Sequence, residues 1–147
     1  MIKYDDLLTA QYKPHGRGDG GYDCYGLVLE CCRRAGTTLK DPFIKYEHLP
    51  VGAELPYIND YNNIREISAP KAGAVAECKT GENLHVAYMV TSQLALHITA
   101  KGCRVTHIRA LNPIRYYEYG VFKVYAREVC ARAASCLYVY EFGVVFR

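Results

Sequence analysis

One cysteine of this 147-residue sequence stands where a thiol is expected to be reactive. Cys24 follows a glycine-rich segment, residues 16–21, and opens a stretch in which apolar residues recur at helical spacing up to Ala35. A thiol in the first turn of a helix lies beside free backbone N–H groups and the positive end of the helix dipole, and both favour the thiolate. We therefore interpret Cys24 as a nucleophile that attacks a carbonyl carbon.

Two histidines have the spacing of a base and of the group that orients it. A cysteine nucleophile needs both. His85 and Ala87 share one face of a predicted strand, and His97 lies on the next strand. If a three-residue loop centred at Ser92 joins the strands, His97 lies opposite Ala87 and diagonal to His85 on the same face. A two-residue loop would put His97 on the other face. In the first arrangement His85 takes the thiol proton and His97 fixes the tautomer of its ring.

The same region offers donors for the oxyanion that forms during acyl transfer. The backbone N–H of Cys24, at the helix start, is one candidate, and the hydroxyl of Tyr12, across the glycine-rich segment, is a second. Ala87 is small, and we expect it to leave room beside His85 for the helix terminus that carries the thiol.

The remaining pattern predicts an α+β fold in which this helix packs on an antiparallel sheet. A short amphipathic helix over residues 3–11, with Tyr4, Leu7 and Leu8 inward, precedes the main helix, residues 23–35. An irregular connection over residues 37–69, with a helical turn or two at 59–67, is expected to line a cleft. The predicted strands then form a meander and cover residues 74–78, 84–90, 94–99, 103–108 and 116–125.

Composition excludes several classes of function. A net charge of +3 with scattered basic residues argues against nucleic acid binding. No apolar run reaches the roughly 18–20 residues of a membrane span. The amino terminus has no basic region before an apolar stretch, so we expect no signal peptide and synthesis in the cytoplasm. Seven cysteines without a CxxC pair predict reduced thiols, with no disulfide framework, metal site or cofactor.

Five stretches of the chain together resemble the NlpC-type cell-wall cysteine peptidases, which have a papain-like fold. The resemblance runs from about Tyr12 to Tyr125. It implies one peptidase domain over residues 1–126 and a C-terminal extension, 127–147, that could add an edge strand, mediate self-association or pack on the helix. The stretches are Tyr12-Lys13-Pro14-His15-Gly16, Asp23-Cys24-Tyr25-Gly26-Leu27-Val28, Ala69-Pro70-Lys71-Ala72-Gly73-Ala74-Val75, His85-Val86-Ala87-Tyr88-Met89-Val90 and Leu96-His97-Ile98-Thr99.

The resemblance implies hydrolysis of peptidoglycan stem peptides, between γ-D-glutamate and a diamino acid. Cys24 matches the family's nucleophile, His85 its base and His97 its third polar residue. Asp23 and Tyr12 match positions that contact substrate or support the thiolate. Tyr25 replaces a serine that binds the free amine of the stem peptide in wall-recycling members. An aromatic residue here resembles the phage-tail branch, which implies tail proteins as partners and action at the cell wall.

Two other functions remain open at this point. A tail-assembly or structural protein could keep the fold without its activity, as Tyr25 and the apolar segment 137–146 suggest. A papain-like amidase or acyltransferase, including a toxin, could act on another substrate.

Of the remaining histidines, His15 is a candidate for lining the cleft, and His48 and His107 are expected in solvent. The remaining cysteines are interpreted as core or strand residues: Cys31, Cys32, Cys78, Cys103, Cys130 and Cys136.

Overall fold

The structure, a computed structural model, describes residues 1–39, 41, 64–81 and 83–119. Within these ranges the chain forms one α-helix, α1 (Cys24–Arg34), and two 3-10 helices, Asp5–Thr9 and Ile108–Leu111. A two-stranded hairpin, β1 (Arg17–Gly18) and β2 (Gly21–Tyr22), precedes α1. The other strands are β3 (Ile64–Ile67), β4 (Val75–Thr80), β5 (Asn83–Met89), β6 (Leu94–Thr99), β7 (Gly102–His107) and β8 (Pro113–Tyr119).

Strands β3–β8 form one antiparallel sheet in the order β3-β8-β4-β5-β6-β7. The predicted meander is confirmed for β4 to β7. The last strand departs from it, because β8 returns across the sheet to pair with the free edge of β4. Pairing there satisfies backbone N–H and C=O groups that an open edge would expose. The α+β plan, with one helix on an antiparallel sheet, is confirmed.

Helix α1 packs on one face of the sheet, and the 3-10 helix Ile108–Leu111 covers the other. The first face joins the buried side of α1, including Leu27 and Cys31, to Val86 and Tyr88 of β5. Ala87 belongs to the second cluster, on the opposite face. The core role predicted for Cys31, Cys32 and Cys78 is confirmed, because all three are buried free thiols.

Two predictions about local structure need correction. The helix expected over residues 3–11 is only the 3-10 turn Asp5–Thr9, in which Leu7 is buried but Leu8 is 40% exposed. A helical turn is expected at 59–67, but the described part of this segment, Ile64–Ile67, is a strand that pairs with β8. Tertiary pairing overrides weak local propensity in such a segment. The predictions for residues 120–147, His48, Cys130 and Cys136 lie outside the described residues.

Gly26 is required where the hairpin β1–β2 approaches α1. A Cβ atom at this position would overlap the carbonyl oxygen of Gly16. Gly26→Ala is therefore expected to lower the free energy of unfolding by about 1–3 kcal/mol through overpacking. Helix propensity alone would raise it by about 1 kcal/mol. Urea denaturation gives the sign, and a variant more stable than the parent would contradict the close approach.

Candidate active site

The hairpin that joins β5 to β6 has the register that the site requires. Tyr88 pairs with Leu96, and the N–H of Val90 donates to the carbonyl of Leu94 at 2.9 Å. The connecting loop is therefore Thr91–Gln93, three residues centred at Ser92, as the sequence predicts. In this register His97 is diagonal to His85 on one face of the sheet.

The two imidazoles form a hydrogen-bonded chain that continues to a threonine. His85 Nε2 lies 3.1 Å from His97 Nδ1, and the rings meet edge to face at 82°. His97 Nε2 lies 2.9 Å from Thr106 Oγ1 on β7. His97 is 2% exposed and His85 is 9% exposed, so both rings are held in fixed positions.

The order of these bonds fixes the tautomers of an active base. If His85 is to accept a proton from a thiol, its Nδ1 must be free and its Nε2–H must donate to His97 Nδ1. His97 then carries its own proton on Nε2 and donates it to Thr106. Sequence reasoning missed Thr106. The turn at Lys101-Gly102 could have predicted it, because this turn sets the register of β6 and β7. In that register Ala95 lies opposite Thr106, and Thr106 is diagonal to His97.

Cys24 meets β5 where β5 and β6 separate. Their pairing ends at Tyr88 and Leu96. Alternate residues of a strand point their N–H groups to the same side, and the Val90 N–H faces β6. The Val86 N–H therefore faces the β6 side too, beyond the last paired residues of the two strands. This N–H hydrogen-bonds the Cys24 sulfur and lowers its pKa. The thiol therefore adjoins the peptide group between His85 and Val86.

The surroundings of Ala87 differ from the prediction. We expected small Ala87 to leave room for the helix terminus, but Ala87 lies on the sheet face away from α1. That expectation was wrong. The sulfur instead contacts the Val86 N–H of β5, beyond the last paired residues of β5 and β6.

The resting thiol and imidazole are both neutral. Burial raises the pKa of Cys24, and this outweighs the backbone N–H groups of Val86 and Tyr25 that lower it. Burial, then His97 and Arg104, lower the pKa of His85 to about 4. The thiolate expected from the helix start is therefore not the resting form. Cys24 becomes a nucleophile only when His85 takes its proton.

Asp23 is held by the protein itself. Its carboxylate caps α1 by accepting the Gly26 N–H at 2.6 Å, and it pairs with Arg17 at 2.6 Å. Arg17 also pairs with Asp41. These contacts fix the start of α1 and hence the thiol, so Asp23 supports the nucleophile through position. Contact of Asp23 with substrate stays a prediction.

Tyr12 and Tyr25 have different surroundings. Tyr12 is 40% exposed, and burial, then the charges of Cys24 and Asp23, raise its pKa. It is therefore near the thiol and accessible. Tyr25 is in the core, with its ring 5.7 Å from the guanidinium of Arg17. Its phenol faces the protein, so a substrate contact at this position would go through the backbone.

His15 has a strained backbone, with φ of 56°, and its buried Nδ1 has no hydrogen-bond partner in the described chain.

Within the described ranges no three His, Cys, Asp or Glu side chains are grouped to hold a metal ion. In those ranges, too, no helix is long and apolar enough to cross a membrane. Burial raises the pKa of Cys32 and Cys78 to about 12, which fits packing rather than chemistry.

The buried His85 makes stability depend on pH. Unfolded histidine binds a proton at about pH 6.5, but folded His85 does so only at about pH 4. Between these pH values the unfolded state binds more protons than the folded state. The stabilising contribution of neutral His85 is therefore full above pH 6.5 and is lost as the pH falls to about 4. We expect the free energy of unfolding to fall by about 3 kcal/mol over this range. Urea denaturation at several pH values measures it, and His85→Gln should remove most of the dependence that histidine causes. An equal dependence in both proteins would contradict the burial.

A search among solved structures found a crystal structure of the NlpC/p60 domain of the peptidoglycan hydrolase SagA. It superposes with a TM-score of 0.51 at 16% sequence identity, covering 76% of this chain and 88% of that chain. No model of a protein family matches the sequence, and no curated protein matches it. The likeness concerns the fold, and it agrees with the architecture described above. The chain has a papain-like α+β fold of the kind seen in NlpC/p60 domains.

Proposed function

We propose that this chain is a cysteine peptidase that hydrolyses peptidoglycan stem peptides. The observation that carries the proposal is the meeting of the Cys24 sulfur with the Val86 N–H, next to a His85 ring bonded to His97. This puts a candidate nucleophile one peptide group along the chain from a candidate base and its orienting group, which supports the proposal. The likeness to a domain of a peptidoglycan hydrolase supports this substrate class.

The geometry suits acyl transfer through a thioester. As the sulfur of Cys24 adds to the carbonyl carbon, its proton passes to His85 Nδ1. The oxyanion accepts hydrogen bonds from the Cys24 N–H and the Tyr12 hydroxyl. Collapse of this intermediate breaks the peptide bond, and His85 gives its proton to the leaving amine. Water then attacks the thioester with His85 as base, which releases the acid and restores the thiol.

His97 and Thr106 support this cycle by holding the His85 ring. The Nε2–H of His85 donates to His97 Nδ1 in both protonation states, and the bond strengthens when His85 becomes imidazolium. A neutral partner orients the ring without adding a buried charge. His97 is therefore a positioning residue, and Thr106 fixes its tautomer.

The finer part of the proposal concerns the bond and the setting. We infer cleavage between γ-D-glutamate and the diamino acid, by a component of a phage or prophage tail that is made in the cytoplasm and acts at the cell wall. The resemblance of the motif around Cys24 to that family supports the bond. Tyr25, in place of the serine of wall-recycling members, supports the tail setting.

Digestion of purified sacculi tests the proposal. The wild-type protein should release muropeptides whose masses identify a cut after γ-D-glutamate. Release of sugars alone, or no release at any concentration, would contradict it. Products from synthetic stem peptides that carry a transferred acyl group would instead favour the acyltransferase alternative.

A structural role in tail assembly is the second candidate. The neutral resting thiol and the packing of Tyr25 in the core favour it, because both serve a folded scaffold without chemistry. Phage that carry Cys24→Ala distinguish the two. Normal tails with normal infection would support the structural role, whereas intact tails that fail to infect would support the peptidase.

A further inference from the structure

We propose that Arg104 binds a carboxylate of the stem peptide and so makes acidic peptides the preferred substrates. This inference rests on the proposed function and adds a specificity-determining residue to it. The reaction requires the thiol and the histidines, but it does not by itself require a cation at this place.

Strand β7 places Arg104 beside the histidine pair. In the ladder between β6 and β7, Arg104 lies directly opposite His97, and Thr106 lies diagonal to it. Residues opposite each other on antiparallel strands have Cβ atoms about 4.5–5.5 Å apart and share a face. His85, His97 and Arg104 therefore follow one another across three neighbouring strands on one face of the sheet.

Arg104 is exposed, and no carboxylate of the described chain pairs with it. Several other arginines of the described ranges are instead held in ion pairs: Arg17 with Asp23 and Asp41, Arg33 with Glu30, Arg34 with Asp6 and Glu30, and Arg65 with Glu118. A guanidinium binds a carboxylate through two parallel hydrogen bonds, which makes it selective for that group. An unpaired one beside a reactive site is suited to a ligand.

The charge of Arg104 also acts on the base. It lowers the pKa of His85 and of His97, so it is within electrostatic reach of both rings. An uncompensated cation here opposes formation of the imidazolium that the reaction needs. A substrate carboxylate paired with Arg104 would neutralise that charge and make His85 a stronger base when the correct peptide is bound.

Stem peptides offer carboxylates on both sides of the scissile bond. One is the α-carboxylate that a γ-linked glutamate leaves free, and the other belongs to the diamino acid. Both present the same chemistry to an arginine, so substrates amidated at one position at a time identify which of them Arg104 binds.

The experiment compares kcat/KM for three stem peptides that differ only in these groups: both carboxylates free, the glutamate carboxylate amidated, and the diamino acid carboxylate amidated. The wild-type protein should prefer the free form at one position by about tenfold, as expected for one charge-assisted hydrogen-bonding pair. Arg104→Gln should reduce this preference to within about twofold, and Arg104→Lys should keep part of it. Arg33→Gln is the matched control, because Arg33 is a 66% exposed arginine at the other end of α1.

A second readout separates substrate binding from a structural role. The acid limb of kcat/KM should move to higher pH in Arg104→Gln, because the repulsion on His85 is gone. An unchanged preference among the three peptides, together with an unmoved acid limb, would overturn the inference while hydrolysis itself stood.

Binding of the same peptides to Cys24→Ala, measured by calorimetry, separates this inference from the proposed function. If the wild-type protein cleaves no stem peptide but Cys24→Ala binds the acidic form more tightly in an Arg104-dependent manner, the function fails and the carboxylate site stands. If binding is equal for acidic and amidated peptides, the carboxylate site fails.

Discussion

Cys24→Ala is expected to lower kcat/KM for stem-peptide hydrolysis by about 10⁴-fold or more, with the fold intact. The reason is that the sulfur of Cys24 forms the thioester. Cys78 pairs with His85 across β4 and β5, but it is fully buried and its pKa is raised to about 12, so it does not replace Cys24. The methyl group of alanine leaves the Asp23 cap and the core below it in place. Chromatographic assay of a synthetic stem peptide, together with thermal unfolding of both proteins, measures the effect.

Cys103→Ala is the matched control for this variant. Cys24 and Cys103 are the two partly exposed thiols of the described chain, and Cys103 lies on β7 away from the histidine pair's hydrogen bonds. Burial raises the pKa of Cys103 to about 11, so no role in catalysis is expected for it. Cys103→Ala should keep nearly full activity. Activity of Cys24→Ala within about tenfold of the parent would remove the nucleophile from the account.

His85→Gln is expected to lower kcat/KM by about 10³-fold or more, because the thiol then has no base and the amine no acid. The wild-type rate should rise with pH through about 4, where the folded imidazole loses its proton and becomes able to accept one from Cys24. This acid limb should be absent from the residual activity of His85→Gln. Initial rates between pH 3.5 and 8 measure both effects.

His107→Gln serves as the control, since His107 is an exposed histidine at the end of β7. It should keep the wild-type rate and the acid limb near pH 4. If His85→Gln kept the same acid limb as the wild-type protein, the titrating group would be another residue and His85 would not be the base.

Much of the site follows from sequence spacing. Alternation along β5 fixes the face of His85, and the three residues Thr91–Gln93 between the strands fix that of His97. The glycine-rich segment and the helical periodicity that begins at Cys24 predict a helix start there, and α1 does begin at Cys24. These are short-range rules of backbone geometry, and one sequence is enough to apply them.

Other features depend on contacts between distant segments. The return of β8 to β4 involves residues about 40 positions apart, and nothing in the local pattern of either strand encodes it. The raised pKa of Cys24 results from burial, which the position of a thiol at a helix start does not reveal. Tyr25 matches a substrate-binding position in sequence, yet its side chain packs in the core because α1 lies on the sheet at that point.

The central claim is that a sulfur at position 24 attacks substrate with the help of the imidazole at position 85. Rapid acid quenching during turnover of a stem peptide, followed by mass spectrometry of the protein, tests it most directly. The account predicts an added mass equal to the acyl half of the substrate, on the peptide that contains Cys24, and its absence in His85→Gln. Turnover without such an adduct when hydrolysis of the thioester is slowed, or an adduct on a different residue, would contradict it.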